Sequence, residues 1–158
     1  MNLKNPFVIL LVGPPLSGKT TWINNNFPDT YVISRDEIVM EVFGSRNYND
    51  AFRNVNQKDV DKVLRQRISD VAKSGNNVIV DMTNISPKRR RSTLSNFSKD
   101  YNKVAVVFPT LSDDDYLFRN NQRIINENKS ISLSIIKDMI SNYVPPSLEE
   151  GFNEIISL

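Results

Sequence analysis

The sequence of 158 residues contains no cysteine and no histidine. The absence of cysteine excludes a disulfide scaffold and any zinc site built on thiolates. The absence of histidine excludes a Ser-His-Asp hydrolase and removes the side chain most often used as a general base. Any proton transfer must therefore rely on Asp, Glu, Lys or Tyr.

Strong net charge and long apolar runs are also missing. With 20 Lys and Arg against 18 Asp and Glu, the net charge of +2 does not by itself indicate nucleic-acid binding. The longest apolar run, Phe7–Val12, has the length of a strand, whereas a bilayer-spanning helix needs about 20 residues. The N-terminus shows no signal-peptide pattern. We expect no membrane partner and a cytoplasmic protein, located in the host cytoplasm if it is phage-encoded.

Strand and helix patterns alternate along the chain, without internal repeats or linker-like segments, which predicts one domain over residues 1–158. The predicted strands are Phe7–Val12, 31–34, 77–81, 103–108 and, at an edge, 154–157. The predicted helices are 18–26, 36–43, 54–73, 87–99, 112–126 and 132–143, with a polar loop at 44–50. The predicted fold class is α/β, a P-loop NTPase-type parallel sheet of four to five strands flanked by helices, with a helical lid.

Residues 13–20, Gly-Pro-Pro-Leu-Ser-Gly-Lys-Thr, match the phosphate-binding P-loop pattern in full. A buried-type strand precedes the motif and a helix follows it, which is the context that the motif requires. The pattern predicts that Lys19 neutralises the β- and γ-phosphates of ATP and that the Thr20 hydroxyl helps to hold Mg²⁺. The predicted ATP-binding residues of this segment are Gly13, Pro14, Pro15, Ser17, Gly18, Lys19, Thr20 and Thr21.

Two more polar clusters follow predicted strands, at Ser34–Asp36 and Asp81–Asn84. The carboxyl ends of parallel strands share one edge of the sheet, so both clusters should meet the P-loop there. A kinase needs a carboxylate near the acceptor hydroxyl, and Asp36 is the best-placed candidate; the alternative is that it caps a helix. Arg35 is expected to bind phosphate or to pair with Asp36.

Three segments together resemble the kinase domain of phage and animal polynucleotide 5′-hydroxyl kinases. They are the P-loop with its following Thr-Trp, the segment Ile33-Ser34-Arg35-Asp36, and Val80-Asp81-Met82-Thr83-Asn84 followed by Pro87, Arg89 and Arg90. Residues 145–152 are similar to a closing segment of the animal domain, so the resemblance covers nearly the whole chain. The Arg-Asp pair and the Thr-Asn pair, in this order and spacing, are the more specific part.

The resemblance implies a role for each matching residue. Asp36 would be the general base, and Thr83 and Asn84 would line the acceptor site. Arg123, with Arg119 second, would be the lid arginine over the donor phosphates; the alternative for both is ordinary surface charge. Substrate binding is expected from Arg35, Thr83, Asn84, Arg89 and Arg90. No Asp-x-Asp-x-Thr motif is present, so no phosphatase domain or 3′-phosphatase activity is expected.

The predicted function is an ATP- and Mg²⁺-dependent kinase acting on a nucleic-acid hydroxyl, a 5′-hydroxyl end first, with DNA as the expected partner. The basic run Lys88–Arg91 would contact phosphates, or form a solvated helix face. Tyr48 and Phe52 would stack on a base, or pack in the core.

A second hypothesis keeps the kinase but makes the acceptor a modified DNA base, a nucleoside or another small molecule. It is favoured by the apolar Ile38 and Val39, which stand where the phage enzyme carries an acceptor-phosphate arginine. A third is a nucleotide-binding switch without an acceptor.

Overall fold

The computed structural model describes residues 3–158. These residues form five strands and seven α-helices in the alternating order expected of an α/β fold. The strands are β1 Phe7–Val12, β2 Tyr31–Ser34, β3 Val78–Asp81, β4 Asn102–Val107 and β5 Glu154–Ser157. The helices are α1 Lys19–Asn26, α2 Arg35–Phe43, α3 Tyr48–Asn54, α4 Gln57–Ser74, α5 Pro87–Leu94, α6 Asp113–Glu127 and α7 Leu133–Ser141.

All neighbouring strands pair in parallel, in the order β2-β3-β1-β4-β5. The chain therefore places β2 and β3 on one side of β1 and β4 and β5 on the other. Ligand crevices of open parallel sheets lie beyond the carboxyl ends of the strands where the strand order reverses, here the end of β1. The predicted α/β fold with a P-loop NTPase-type parallel sheet is confirmed, with β5 at the edge.

The central strand β1 explains why the sheet is covered on both faces. All six of its residues are buried, and they alternate between two hydrophobic clusters. Val8, Leu10 and Val12 pack on the side of α2, α3 and α4, whereas Ile9 and Leu11 pack on the side of α1. An unbroken apolar strand is what two covered faces require.

The region between α2 and α4 differs from the sequence prediction. Residues 48–54 form helix α3, which begins inside the polar loop expected at 44–50, and the long helix expected from residue 54 begins at Gln57. Asn47 and Asn56 explain the difference, because each side chain accepts a hydrogen bond from a backbone N–H of the helix that follows it, at 3.1 and 3.0 Å. Such caps start two separate helices where periodicity alone indicates one.

Helix α5 ends at Leu94, five residues earlier than expected. The Ser95 hydroxyl and the Asn96 amide donate to the carbonyl of Ser92, at 2.8 and 2.9 Å, and so compete with continued helical bonding. Ser86 is the N-cap residue, as expected, but its side chain makes no capping hydrogen bond. No helix among residues 3–158 is both long and apolar enough to cross a membrane.

Candidate active site

The P-loop connects β1 to α1 at the middle of the sheet edge. The Gly13 N–H donates to the carbonyl of Thr83 at 2.9 Å, which ties the loop to the segment after β3. A Cβ atom at Gly13 would lie 2.9 Å from the Cβ of Phe108, closer than real Cβ contacts allow. Gly18 has a φ of 99°, a conformation that glycine adopts readily. Both glycines of the motif are therefore required by the local backbone.

The N-terminus of α1 is suited to an anion. No acidic residue occupies its first turn, so its positive dipole end is not neutralised. Thr20 and Thr21 lie exposed in this turn, while Ser17 is buried in the loop. Backbone N–H groups, the helix dipole and exposed hydroxyls together form a phosphate-binding surface.

Lys19 lies inside the loop that it follows. Its Nζ donates to the carbonyls of Gly13 and Pro14 at 3.1 and 2.7 Å. Burial lowers the pKa of Lys19 to about 8, although the charges of Asp81 and Asp36 act in the opposite direction. The ammonium is thus poorly solvated, which favours its interaction with phosphate oxygens.

Asp36 is the second residue of α2 and does not cap that helix. The N-cap is Ser34, whose hydroxyl accepts from the Glu37 N–H at 3.5 Å. The Asp36 side chain is 45% exposed, so its carboxylate is accessible at the mouth of the site. Arg35 does not pair with Asp36: it donates to Gln57 Oε1 at 2.6 Å and lies 3.7 Å from Asp61 Oδ1 on α4.

Arg119 and Arg123, the two arginines of α6, reach different parts of the site. Arg119 Nη1 donates to the carbonyl of Leu16 in the P-loop at 2.9 Å. Arg123 Nη2 lies 3.7 Å from Asp36 Oδ2, and its side chain is largely buried. One face of α6 therefore spans the site from the P-loop to the predicted base, as expected for residues four apart on a helix.

Asp81 is a further candidate, at the carboxyl end of β3 beside the P-loop strand. Burial raises the pKa of Asp81 above its usual value, while the charge of Lys19 opposes this shift and the charge of Asp36 adds to it. Sequence reasoning placed Asp81 at the mouth without giving it a role. Its position as the last residue of the strand next to β1 was the available signal.

Thr20 and Asp81 are the residues that would hold Mg²⁺. A hydroxyl and a carboxylate are the hard oxygen donors that this ion prefers, and Mg²⁺ commonly uses one or two such protein ligands together with waters and phosphate oxygens. Within residues 3–158 no group of three or more acidic side chains forms a metal cage by itself. The donor set thus fits a magnesium ion shared with a bound nucleotide.

Two residues that were expected to bind substrate are instead part of the buried framework. Asn84 is fully buried, and its Nδ2 donates to the carbonyl of Leu11 at 2.8 Å. Arg90 is also fully buried, with Nε and Nη2 each 2.7 Å from the Glu150 carboxylate and Nη1 donating to the carbonyl of Asn84 at 2.8 Å. The expectation that Arg90 and the Asn84 side chain contact substrate needs correction, because Asn84 ties the β3–α5 loop to β1 and Arg90 ties it to Glu150.

The other predicted acceptor residues remain accessible. Thr83 is half-buried, and its carbonyl receives the Gly13 N–H. Arg89 is exposed on α5, next to exposed Lys88 and Arg91. Tyr48 is nearly buried, with a ring 5.1 Å from the guanidinium carbon of Arg123, so it borders the site as part of the packing.

The fold and the site together define a P-loop kinase-like domain. The chain belongs to the AAA_33 family, described as an AAA domain, whose model matches residues 8–146. The P-loop fold implies nucleotide binding.

Several solved structures share this fold. A chain of the Pnkp1/Rnl/Hen1 RNA repair complex matches with a TM-score of 0.67 and 21% identity, over 89% of this chain and 45% of that one. Kti12 of Chaetomium thermophilum, in complex with ADP-AlF3, matches with a TM-score of 0.62 and 15% identity. The match covers 96% of this chain and 88% of that one. A gluconokinase of Sinorhizobium meliloti 1021 matches with a TM-score of 0.55 and 12% identity, over 99% of this chain and 83% of that one. At these identities the likeness establishes the fold alone, and this chain spans less than half the length of the repair-complex chain.

Proposed function

We propose that the protein is a phosphotransferase that moves the γ-phosphate of ATP to a hydroxyl of a nucleic acid, with a polynucleotide 5′-hydroxyl end as its acceptor. The observation that carries the proposal is that Asp36 and Arg123 lie close to each other near Lys19 of the P-loop. A half-exposed carboxylate 3.7 Å from a lid arginine provides a proton acceptor next to a group that stabilises negative charge.

In the proposed reaction, an Asp36 carboxylate oxygen accepts a hydrogen bond from the acceptor hydroxyl and orients its oxygen. That oxygen forms a bond to the γ-phosphorus while the bond from phosphorus to the bridging oxygen of ATP breaks, and ADP leaves. The hydroxyl proton passes to Asp36. Lys19 and Arg123 stabilise the charge on the transferring phosphoryl group. When bound at Thr20 and Asp81, Mg²⁺ supplies charge neutralisation on the phosphates.

Two features support a nucleic-acid acceptor. Exposed Lys88, Arg89 and Arg91 give α5 a basic surface directly after the loop that contains Thr83. Such side chains contact phosphates without reading sequence. The fold is also shared with a chain of an RNA repair complex, so RNA belongs beside the expected DNA as an acceptor to be tested.

A small-molecule acceptor is the second candidate, and it now rests on different support. Ile38 and Val39 are fully buried under the sheet and therefore line no acceptor pocket. The support for this candidate is instead the fold that the chain shares with a gluconokinase, whose name describes a small-molecule kinase. The partly exposed Asp36 would serve a small alcohol by the same chemistry.

The test is a transfer assay with γ-labelled ATP and Mg²⁺, using single-stranded DNA and RNA oligonucleotides that carry a 5′-hydroxyl. Matched oligonucleotides with a 5′-phosphate serve as the acceptor control. We expect label on the 5′-hydroxyl strands only. Label on gluconate or nucleosides but not on oligonucleotides would move the assignment to the small-molecule kinase. Phosphate release at the same rate with and without every acceptor would favour the nucleotide switch.

A further inference from the structure

Tyr48 lies where helix α3 packs against α6, the helix proposed here as the lid. Its side chain is only 7% exposed and packs in the core on the α2–α4 side of the sheet. Its ring centroid lies 5.1 Å from the guanidinium carbon of Arg123 and 5.2 Å from Nζ of Lys129. A fixed aromatic ring is thus in contact with two cations from α6 and the turn that follows it.

The neighbouring residue, Asn49, binds the same turn through its side-chain amide. Its Nδ2 donates to the carbonyl of Asn128 at 3.2 Å, and its Oδ1 accepts from the Ser130 N–H at 3.1 Å. Asn128 ends α6 in a left-handed conformation with a φ of 51°. The end of the lid helix is therefore attached to α3 by two hydrogen bonds in addition to the aromatic contacts.

We propose that Tyr48 is a positioning residue for phosphoryl transfer: its ring holds Arg123 over the site, while Asn49 fixes the end of the lid helix to α3. The inference rests on the proposed function for the role of Arg123. The ion pair of Arg123 with Asp36, at 3.7 Å, is long and fixes the guanidinium only loosely. An arginine side chain has many rotamers, so a buried ring beside it reduces the freedom that must be lost in the transition state.

The hydroxyl of Tyr48 also lies close to Arg123 and Asp36, so the ring and the hydroxyl have to be tested separately. Burial raises the pKa of Tyr48 to about 12, and the charge of Asp36 acts in the same direction while that of Arg123 opposes it. The phenol therefore stays protonated at neutral pH. If the ring positions Arg123, removal of the hydroxyl alone should cost less than removal of the whole ring.

The experiment compares Tyr48→Leu and Tyr48→Phe with the parent protein in steady-state transfer. Tyr31→Leu is the matched control, because Tyr31 is an exposed tyrosine at the amino end of β2, opposite the site. We expect Tyr48→Leu to lower kcat by about 3- to 30-fold, the range of a cation–π contact, with the KM for ATP within about twofold. Tyr48→Phe should lose clearly less kcat than Tyr48→Leu, and Tyr31→Leu should stay within about twofold of the parent.

A double-mutant cycle separates positioning from general damage to the fold. In an Arg123→Ala background, Tyr48→Leu should cause no further loss of kcat, because the side chain that it positions is gone. An equal loss of kcat in both backgrounds, or a loss in Tyr48→Phe as large as in Tyr48→Leu, overturns the proposal.

Hydrogen exchange of the segment 119–131 gives a readout that needs no acceptor. Tyr48→Leu and Asn49→Ala should each speed exchange there, whereas Tyr31→Leu should leave it unchanged. Unchanged exchange in both α3 variants overturns the inference. If the parent transfers phosphate to no acceptor, the proposed function fails, and the exchange measurement still decides whether α3 holds the lid.

Discussion

Arg123 on α6 and Asp36 on α2 face each other across the candidate site, with 3.7 Å between Nη2 and Oδ2. Asp36 is 45% exposed, so the pair is partly solvated and is worth little as a source of stability. A loose pair of this kind can separate when an acceptor hydroxyl enters between the two groups. The arrangement thus brings the proposed base and the proposed lid arginine together without locking them.

Replacement of Asp36 by Asn should lower kcat for transfer by about 10²-fold or more, because the amide cannot accept the hydroxyl proton. ATP affinity, measured by equilibrium titration, should stay within a few-fold of the parent. Glu37→Gln is the matched control, since Glu37 is the exposed acid next to Asp36 in the same helical turn. Transfer by Asp36→Asn at the parent rate would refute the assignment of the base.

The lowered pKa of Lys19 predicts a pH dependence of nucleotide binding. With a pKa of about 8 in the free protein, part of the Lys19 population is neutral at pH 8 and above. Bound phosphates favour the charged form and raise this pKa, so binding takes up protons between the two values. ATP affinity should therefore fall as the pH rises through about 8.

Calorimetry in buffers of different ionisation enthalpy measures this uptake directly, and about half a proton per ATP is expected near pH 8. Lys19→Arg is the matched variant, because arginine stays charged throughout the range. It should bind ATP, if more weakly, without proton uptake at this pH. Equal uptake in the parent and in Lys19→Arg would show that another group titrates.

The buried pair of Arg90 and Glu150 predicts a large effect on stability. Their side chains are 0% and 6% exposed, so Glu150→Gln leaves a buried cation without its counter-charge. Breaking a buried pair costs about 3–5 kcal/mol of unfolding free energy, to be measured by denaturant titration. Arg67→Gln breaks the exposed pair with Glu41, at 2.6 Å, and should cost about 0–1 kcal/mol. Equal losses in the two variants would contradict the structural role of Arg90.

The same pair has a pH dependence with a definite sign. Burial alone would raise the pKa of Glu150, but the hydrogen bond and charge of Arg90 outweigh it and hold this pKa below its usual value. The stabilisation is therefore complete above the pKa of Glu in the unfolded chain and is lost as the pH falls through the lower pKa in the folded protein. Glu150→Gln should be less sensitive to acid over that window.

The sequence was sufficient for the sheet because each strand carries its own signal. Phe7–Val12 is apolar without interruption, and the backbone after it favours glycine at positions 13 and 18. The two cap residues Asn47 and Asn56 were not recognised, since asparagine is common in this chain and only some asparagines start helices. As a result the start of α3, with Tyr48, was expected to belong to the loop at 44–50.

The site could be predicted where a residue follows its strand directly and not where long-range contacts decide its role. Asp36 lies at the mouth because β2 ends two residues before it. Arg90 stands in a run of four basic residues that looks uniform, and its burial depends on Glu150, sixty positions away. The hydrophobic periodicity of the sequence cannot indicate that Arg90 pairs with a residue so far along the chain.

The remaining basic residues of α5 predict how salt affects an oligonucleotide acceptor. Lys88, Arg89 and Arg91 are exposed after the Thr83 loop, and each phosphate contact on a single strand contributes about 0.7 to the slope of log affinity against log salt. The triple variant Lys88→Gln/Arg89→Gln/Arg91→Gln should lower this slope by up to about two and raise the KM for a long oligonucleotide, with kcat for a short one little changed. Lys4→Gln/Lys73→Gln removes charge from the opposite edge of the sheet and serves as the control. Equal slopes in the triple variant and the parent would show that the acceptor strand does not run along α5. A strand bound there releases counterions when basic side chains contact its phosphates, and neutral side chains would release fewer.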